Sequence, residues 1–213
     1  MLVERIMTSP CLTINEERTI EQALELMASQ DIRHLPVVDN DMKLLGIVTD
    51  RDINLALPSI LGTEDPAAHL AMPVTRIMHK NVTTCHPLDF VEDIAVDFYE
   101  LKLGSIPVIR NKQCIGIVTQ KDMLNTFLEL TGVTIPGSAI EVAVPDQAGI
   151  MHEVTRVFNT NKVSIESILV YRDRANPGYK LVLIRMQSIN PTKIINDLEN
   201  SGFTVRTPQN SGL

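Results

Sequence analysis

Two short stretches carry residue types that could do chemistry together. GIVTDRD, residues 46–52, returns as GIVTQKD, residues 116–122. Each reads as a strand that ends where a helix begins, with Thr49 or Thr119 at the corner and Asp52 or Asp122 three residues on. A helix N-terminus draws anions through its free N–H groups and its dipole. A hydroxyl at such a corner suits a phosphate, and a carboxylate there suits ribose hydroxyls. The same spacing also makes a capping box, in which Thr and Asp satisfy the helix's own N–H groups at about 1 kcal/mol per cap. Both uses stay open, and they are not exclusive.

The elements that must hold these corners are themselves written twice. With residue 3 set over residue 74, Val3-Glu4-Arg5-Ile6-Met7 matches Val74-Thr75-Arg76-Ile77-Met78, and Pro36-Val37-Val38 falls on Pro107-Val108-Ile109. One residue is then lost before Gly46 meets Gly116. Ile20, Ala23, Leu24 and Met27 form a helical stripe that Val91, Ile94, Ala95 and Phe98 repeat. Each copy therefore predicts a short strand, an amphipathic helix, two strands (35–38 and 43–48, then 106–109 and 114–118) and a closing helix. Neither copy is large enough to bury both faces of such a sheet, so the two should pack together. The join from Pro58 to Pro73, with Gly62, Asp65-Pro66 and Met72-Pro73, reads as a loop holding a short helix around Ala67–Ala71. These spacings place the copies at 1–57 and 74–130, with a connecting loop at 58–73.

Beyond Leu130, the linker 131–138 contains two glycines and a proline, and a different pattern follows. Ile140, Val142 and Val144 alternate as in a half-buried strand, and Asp146-Gln147-Ala148-Gly149 makes a turn. Ile150, Val154, Val157 and Phe158 then trace a helix. Strands Val163–Tyr171 and Tyr179–Met186 flank a hairpin-style connection over 174–178. Pro191 suits a helix start and Gly202 its end, before a last strand at Phe203-Thr204-Val205. The order β-α-β-β-α-β over 139–207, ahead of a tail at 208–213, is the split, ferredoxin-like arrangement.

Composition narrows the function classes. With 213 residues, 44% of them hydrophobic, the chain can build ordinary globular cores. A net charge of −7 argues against a general nucleic-acid binder, which needs a basic face. Cys11, Cys85 and Cys114 are odd in number and lack a CxxC pair, which fits reduced thiols in a cytosol. The early acid in Met-Leu-Val-Glu does not fit a secretion signal, and no apolar run approaches the roughly 18 residues of a membrane span. A cytoplasmic location without membrane partners is expected. His69, His79, Cys85 and His86 lack the tight paired spacing of a zinc site, so no metal is expected. No phosphate loop, GxGxxG, GxSxG or HExxH occurs, so an enzyme is not expected.

RHLPVVD with GIVTDRD, and SIPVIRN with GIVTQKD, together resemble a tandem pair of cystathionine-β-synthase (CBS) domains. Residues 139–207, through the Asp146–Ile150 turn and the element order, resemble an ACT domain. The layout, with HPLDFVEDI and LTGVTIPGS, is similar to the acetoin-utilization (AcuB) family. The implied fold is α+β: two β-α-β-β-α CBS copies followed by a ferredoxin-like βαββαβ ACT domain. The resemblance implies an adenine nucleotide (AMP, ADP, ATP or S-adenosylmethionine) in the cleft between copies, contacted by Thr49, Asp52, Thr119 and Asp122. Arg33, His34, Arg51 and Lys121 would supply cations or donors for phosphates, though Arg33, Arg51 and Lys121 each also suit a solvated surface, while Gly104-Ser105 leave the second copy barer. Thr13-Ile14 and Thr84-Cys85 would offer backbone groups to an adenine edge, though each also suits a buried strand end. In the ACT segment, Asp146 would meet an amino group of a small effector and Gly149 would admit a close backbone approach. The spacing alone equally suits a plain turn in which Asp146 caps the next helix. The resemblance further implies a homodimer, an unidentified protein partner and a link to acetoin or butanediol catabolism, with a role in growth or sporulation. A structural dimer with degenerate pockets and a nucleotide-acting enzyme stand as alternatives.

Overall fold

The structure, a computed structural model, describes residues 1–59 and 65–207; Gly62 of the connecting loop and the 208–213 tail lie outside them. The chain divides into two compact units, residues 1–124 and 125–213, and the division passes through a helix, Gln120–Thr131.

The first unit holds both repeats. Copy one runs through strand β1 (Ile14–Asn15), helix α1 (Ile20–Gln30), strands β2 (His34–Val38) and β3 (Leu44–Thr49) and helix α2 (Asp50–Ala56). A short α3 (Ala67–Leu70) lies in the connection. Copy two has α4 (Val91–Glu100), β4 (Ser105–Arg110), β5 (Gln113–Thr119) and α5 (Gln120–Thr131). The expected first strand is only two residues long in copy one, parallel to β2, and shrinks in copy two to a single Cys85–Val108 bridge. Helix α1 begins at a capping box the sequence reading did not name, Thr19 with Gln22. Its stripe is buried at Ile20, Ala23 and Met27, while Leu24 turns out toward solvent.

The repeats exchange their leading segments. Val3–Arg5 and Val74–Arg76 each form a single 3-10 turn, and each turn packs in the other copy's core. Val74 lies with Ile20, Leu35 and Val48 of copy one, whereas Val3 lies with Ile94, Ile106 and Val118 of copy two. Backbone bonds fix the exchange: Val74 N–H donates to Arg18 O at 2.9 Å, and Val3 N–H donates to Asp89 O at 3.0 Å. Each segment then pairs with the edge of the other copy's hairpin. His79 exchanges two backbone bonds with Ile47 (2.9 and 3.0 Å), and Thr8 does the same with Ile117 (2.9 and 3.1 Å). Both GIV glycines exist for this crossing. A Cβ on Gly46 would stand 2.7 Å from His79 O, and one on Gly116 would stand 3.1 Å from Thr8 O.

The second unit is a four-stranded antiparallel sheet in the order β7-β8-β6-β9, from β6 (Ser138–Pro145), β7 (Ile165–Arg172), β8 (Tyr179–Met186) and β9 (Thr204–Arg206). Helices α6 (Ile150–Thr160) and α7 (Thr192–Asn200) cover one face. This is the ferredoxin-like order expected from the sequence. Ile140, Val142 and Val144 meet Val154, Phe158 and Leu198 in its core. The end of α5 is tied in by Thr131 O, which accepts from Ser167 Oγ at 2.8 Å and Arg185 Nε at 3.1 Å.

Candidate functional site

Both strand–helix corners are built as caps. Thr49 Oγ1 accepts from Asp52 N–H at 3.3 Å and donates to Asp52 Oδ2 at 2.7 Å, and that oxygen also accepts from Thr49 N–H at 2.9 Å. Thr119 and Asp122 repeat the arrangement at 3.3, 2.7 and 2.8 Å. The second carboxylate oxygen of Asp52 meets His79 Nε2 at 2.9 Å, leaving the side chain only 13% exposed. The capping use of these residues is therefore realised in both copies. It also holds each threonine and aspartate in one rotamer at a helix N-terminus, which preorganises the pair for any ligand placed there.

Neighbouring residues gather around each corner by strand pairing. His34 stands opposite Thr49, and Ser105 opposite Thr119. Alternation along β2 and β4 sends Leu35, Val37, Ile106 and Val108 into the cores and leaves His34 and Ser105 on the opposite face. There the two copies meet, because a Cβ on Gly104 would lie 2.4 Å from His34 Nε2. The Gly104-Ser105 pair thus makes room for the imidazole of copy one. Ser105 is 8% exposed, and its Oγ is buried without a hydrogen-bond partner. Arg33 Nε reaches Asp50 Oδ2 only at 3.9 Å and is well exposed. Arg51 and Lys121 are exposed and form no ion pair among the described residues.

The remaining expected contacts line two other cavities. Thr13 and Ile14 line a 540 Å³ cavity with Arg18, Gln22 and Asn40. Thr84 lines a 230 Å³ cavity with Lys43, Lys80, Lys112, Leu45 and Val82, while Cys85 is buried. Neither cavity includes the capping threonines or aspartates. Sequence reasoning missed His79 as a partner of Asp52 and missed the three lysines. Only the segment exchange brings His79 to Ile47, and no local pattern announces it. Among the described residues, no three His, Cys, Asp or Glu come together as a metal site would require.

Burial lowers the pKa of His34 below its usual value, outweighing the attraction of Asp50; Arg33 lowers it further, while Asp52 opposes. The unfolded chain, titrating near pH 6.5, then takes up the proton before the folded one. The contribution of a neutral, buried His34 to stability is complete above that pH and is lost as pH falls through it toward the folded value. Between about pH 7.5 and about pH 5.5, the wild type should lose more in Tm than His34→Asn does. Equal losses would remove His34 from the acid response.

In the second unit, Asp146 and Gly149 line a 150 Å³ cavity with Val144, Ile150, Met151, Val170 and Lys180. Asp146 does not cap α6, whose first turn has no side-chain cap; its Oδ1 pairs with Lys180 Nζ at 2.7 Å. An incoming amino group would have to displace that lysine. Gly149 has φ +86°, the left-handed turn that favours glycine, and the space around its missing Cβ is open.

Known proteins extend the picture. The CBS domain family matches residues 3–59 and 74–129, and the ACT domain family matches 138–202. A candidate acetoin utilization protein (AcuB) from Vibrio cholerae superimposes with a TM-score of 0.55 at 32% identity, covering 64% of this chain and 98% of its own. The CBS domain pair of protein MJ0100, in complex with 5′-methylthioadenosine and S-adenosyl-L-methionine, gives 0.52 at 30%, covering 60% and 95%. CBSX2 in complex with AMP gives 0.54 at 25%, covering 61% and 97%. A CBS domain-containing protein of Dictyostelium discoideum is 34% identical over 143 residues, 65% of this chain and 99% of its own. The homoserine O-acetyltransferase of Methanococcus vannielii is 36% identical over 127 residues, 59% of this chain; the chain spans only 25% of that enzyme.

Proposed function

From a chain that belongs to the CBS-domain family, as a tandem pair joined to an ACT domain, we propose a regulatory adenine-nucleotide sensor with no catalysis of its own. The observation that carries this reading is the buried, unpartnered Ser105 hydroxyl on the residue opposite Thr119, which in turn holds Asp122. A buried hydroxyl left unpaired costs about 1–3 kcal/mol, and a bound ligand would recover it. Two corners with preorganised Thr–Asp pairs, charge at Arg33, Arg51 and Lys121, and relatives in complex with S-adenosyl-L-methionine and AMP all support the assignment. Ribose hydroxyls would take the oxygen of Asp52 that His79 now holds. An adenosine ligand spanning both copies would bias their packing, and a protein partner or a homodimer would read that bias. A small amino-acid effector at Asp146 and Gly149, and service in acetoin or butanediol catabolism, complete the reading; the likeness to the Vibrio cholerae protein supports the latter.

A structural dimer is the second reading, favoured by the fact that both aspartates already satisfy their own helices. Thermal melting with AMP, ADP, ATP and S-adenosylmethionine separates the two. At a hundredfold excess over Kd, a ligand adds about 2.7 kcal/mol to the native state. The wild type should respond to at least one of the four. Ser105→Ala should melt about as high as the wild type or higher without ligand, and should respond less with it. If none of the four stabilises the wild type, the structural reading replaces the sensor. A full response in the Asp52→Ala, Asp122→Ala double variant would leave those carboxylates as caps alone.

A further inference from the structure

Cys11 Sγ lies 3.7 Å from Cys114 Sγ. Cys11 sits on the N-terminal crossing segment, just beyond Thr8, and Cys114 is buried in β5. The segment is held over that strand from its own backbone: Thr8 and Ile117 exchange two bonds, and Ser9 Oγ donates to Ile115 O at 2.8 Å. The thiols are therefore neighbours by construction of the exchange. The other half of the unit provides a control. By the repeat register, Val82 stands where Cys11 does and Leu44 where Cys114 does, and those two also share one cavity lining. Methyl groups fill that place, so packing does not demand sulfur.

We propose that Cys11 and Cys114 are a reversible thiol pair whose disulfide fastens the N-terminal crossing segment to β5. Bringing the sulfurs from 3.7 Å to a bonding distance of about 2.0 Å needs them to close by about 1.7 Å, with a rotamer adjustment. Hydrogen peroxide is the oxidant. The Cys11 thiolate attacks one peroxide oxygen, the O–O bond breaks, and the sulfur becomes a sulfenic acid while hydroxide leaves. The Cys114 sulfur then attacks that sulfenic sulfur, the S–O bond breaks, and hydroxide leaves with the Cys114 proton as water. Two thiols and one peroxide give one disulfide and two waters. Access and acidity assign the order. Cys11 is half-buried, and a hydrogen bond from Cys114 lowers its pKa; that same bond, then burial, raises the pKa of Cys114. The third thiol, Cys85, is buried with its pKa pushed up to about 12 by desolvation, then by Asp89 and Asp97, and stays out of the exchange.

The proposal stands whether or not a nucleotide binds. On the full chain, peroxide should lower the free thiols from three to one and yield a Cys11–Cys114 linked peptide within a monomer. Dithiothreitol should restore all three. The linked form closes a loop of roughly 100 residues and should melt about 5–10 °C higher than the reduced form. Cys11→Val and Cys114→Leu, copying the other half, should melt as the reduced wild type does and lose both the cross-link and the Tm gain. Overturning results are sulfinic or sulfonic acid at Cys11 without a link, links to Cys85, links only between chains, or an unchanged peroxide response in the two variants.

Discussion

Gly46→Val should cost about 3 kcal/mol of stability in the first unit, read by urea unfolding of the full chain, although valine is the better strand former. Even a methyl at this position would stand 2.7 Å from His79 O and 2.7 Å from Met78 Sδ. The sulfur can swing aside, but the carbonyl cannot, because His79 is fixed to Ile47 by two backbone bonds. Relief therefore requires lifting the crossing segment, which withdraws Val74, Ile77 and Met78 from the core of copy one. Gly116→Val should cost less, about 1–2 kcal/mol, because its nearest contact is the mobile Met7 Sδ at 2.9 Å and the Thr8 carbonyl stands farther off at 3.1 Å. Equal and small effects at both glycines would mean that the exchanged segments do not press on the hairpins as described.

Phe158→Ala should remove about 4 kcal/mol from the second unit, the largest loss expected from any single truncation there. Phe158 is 1% exposed and heads the fully buried side chains by volume. It lies in one core with Ile140, Val182, Ile184 and Leu198, where both helices of the unit close on the sheet. Domains of this size carry about 5–15 kcal/mol in all, so the loss should appear as faster hydrogen exchange across β6 and β8 in native buffer. Tyr99→Ala serves as the contrast: 86% exposed, it should change stability by no more than about 0.5 kcal/mol. A loss at Phe158 no larger than that at Tyr99 would sink the packing account.

The sequence carried the repeat, the helical stripes and the βαββαβ order because each depends on neighbours within a turn or a strand. The stripe of α6, Ile150, Val154, Val157 and Phe158, is buried at every position. The Thr-x-x-Asp spacing likewise carried its cap, since all its atoms belong to one corner. Asp146 was less legible: its spacing suits a cap, but Lys180 from β8 takes the carboxylate instead.

What joins distant residues was decided only in three dimensions. The repeat placed Val74 at the start of copy two, yet it is buried in copy one, because a hydrophobic side chain gains the same transfer free energy in either core. Chain connectivity and the open edge of each hairpin choose between them. That choice sets His79 against Asp52, Cys11 against Cys114 and His34 against Gly104. None of these pairs has a sequence signal, since each is made by two segments whose separation along the chain carries no periodicity.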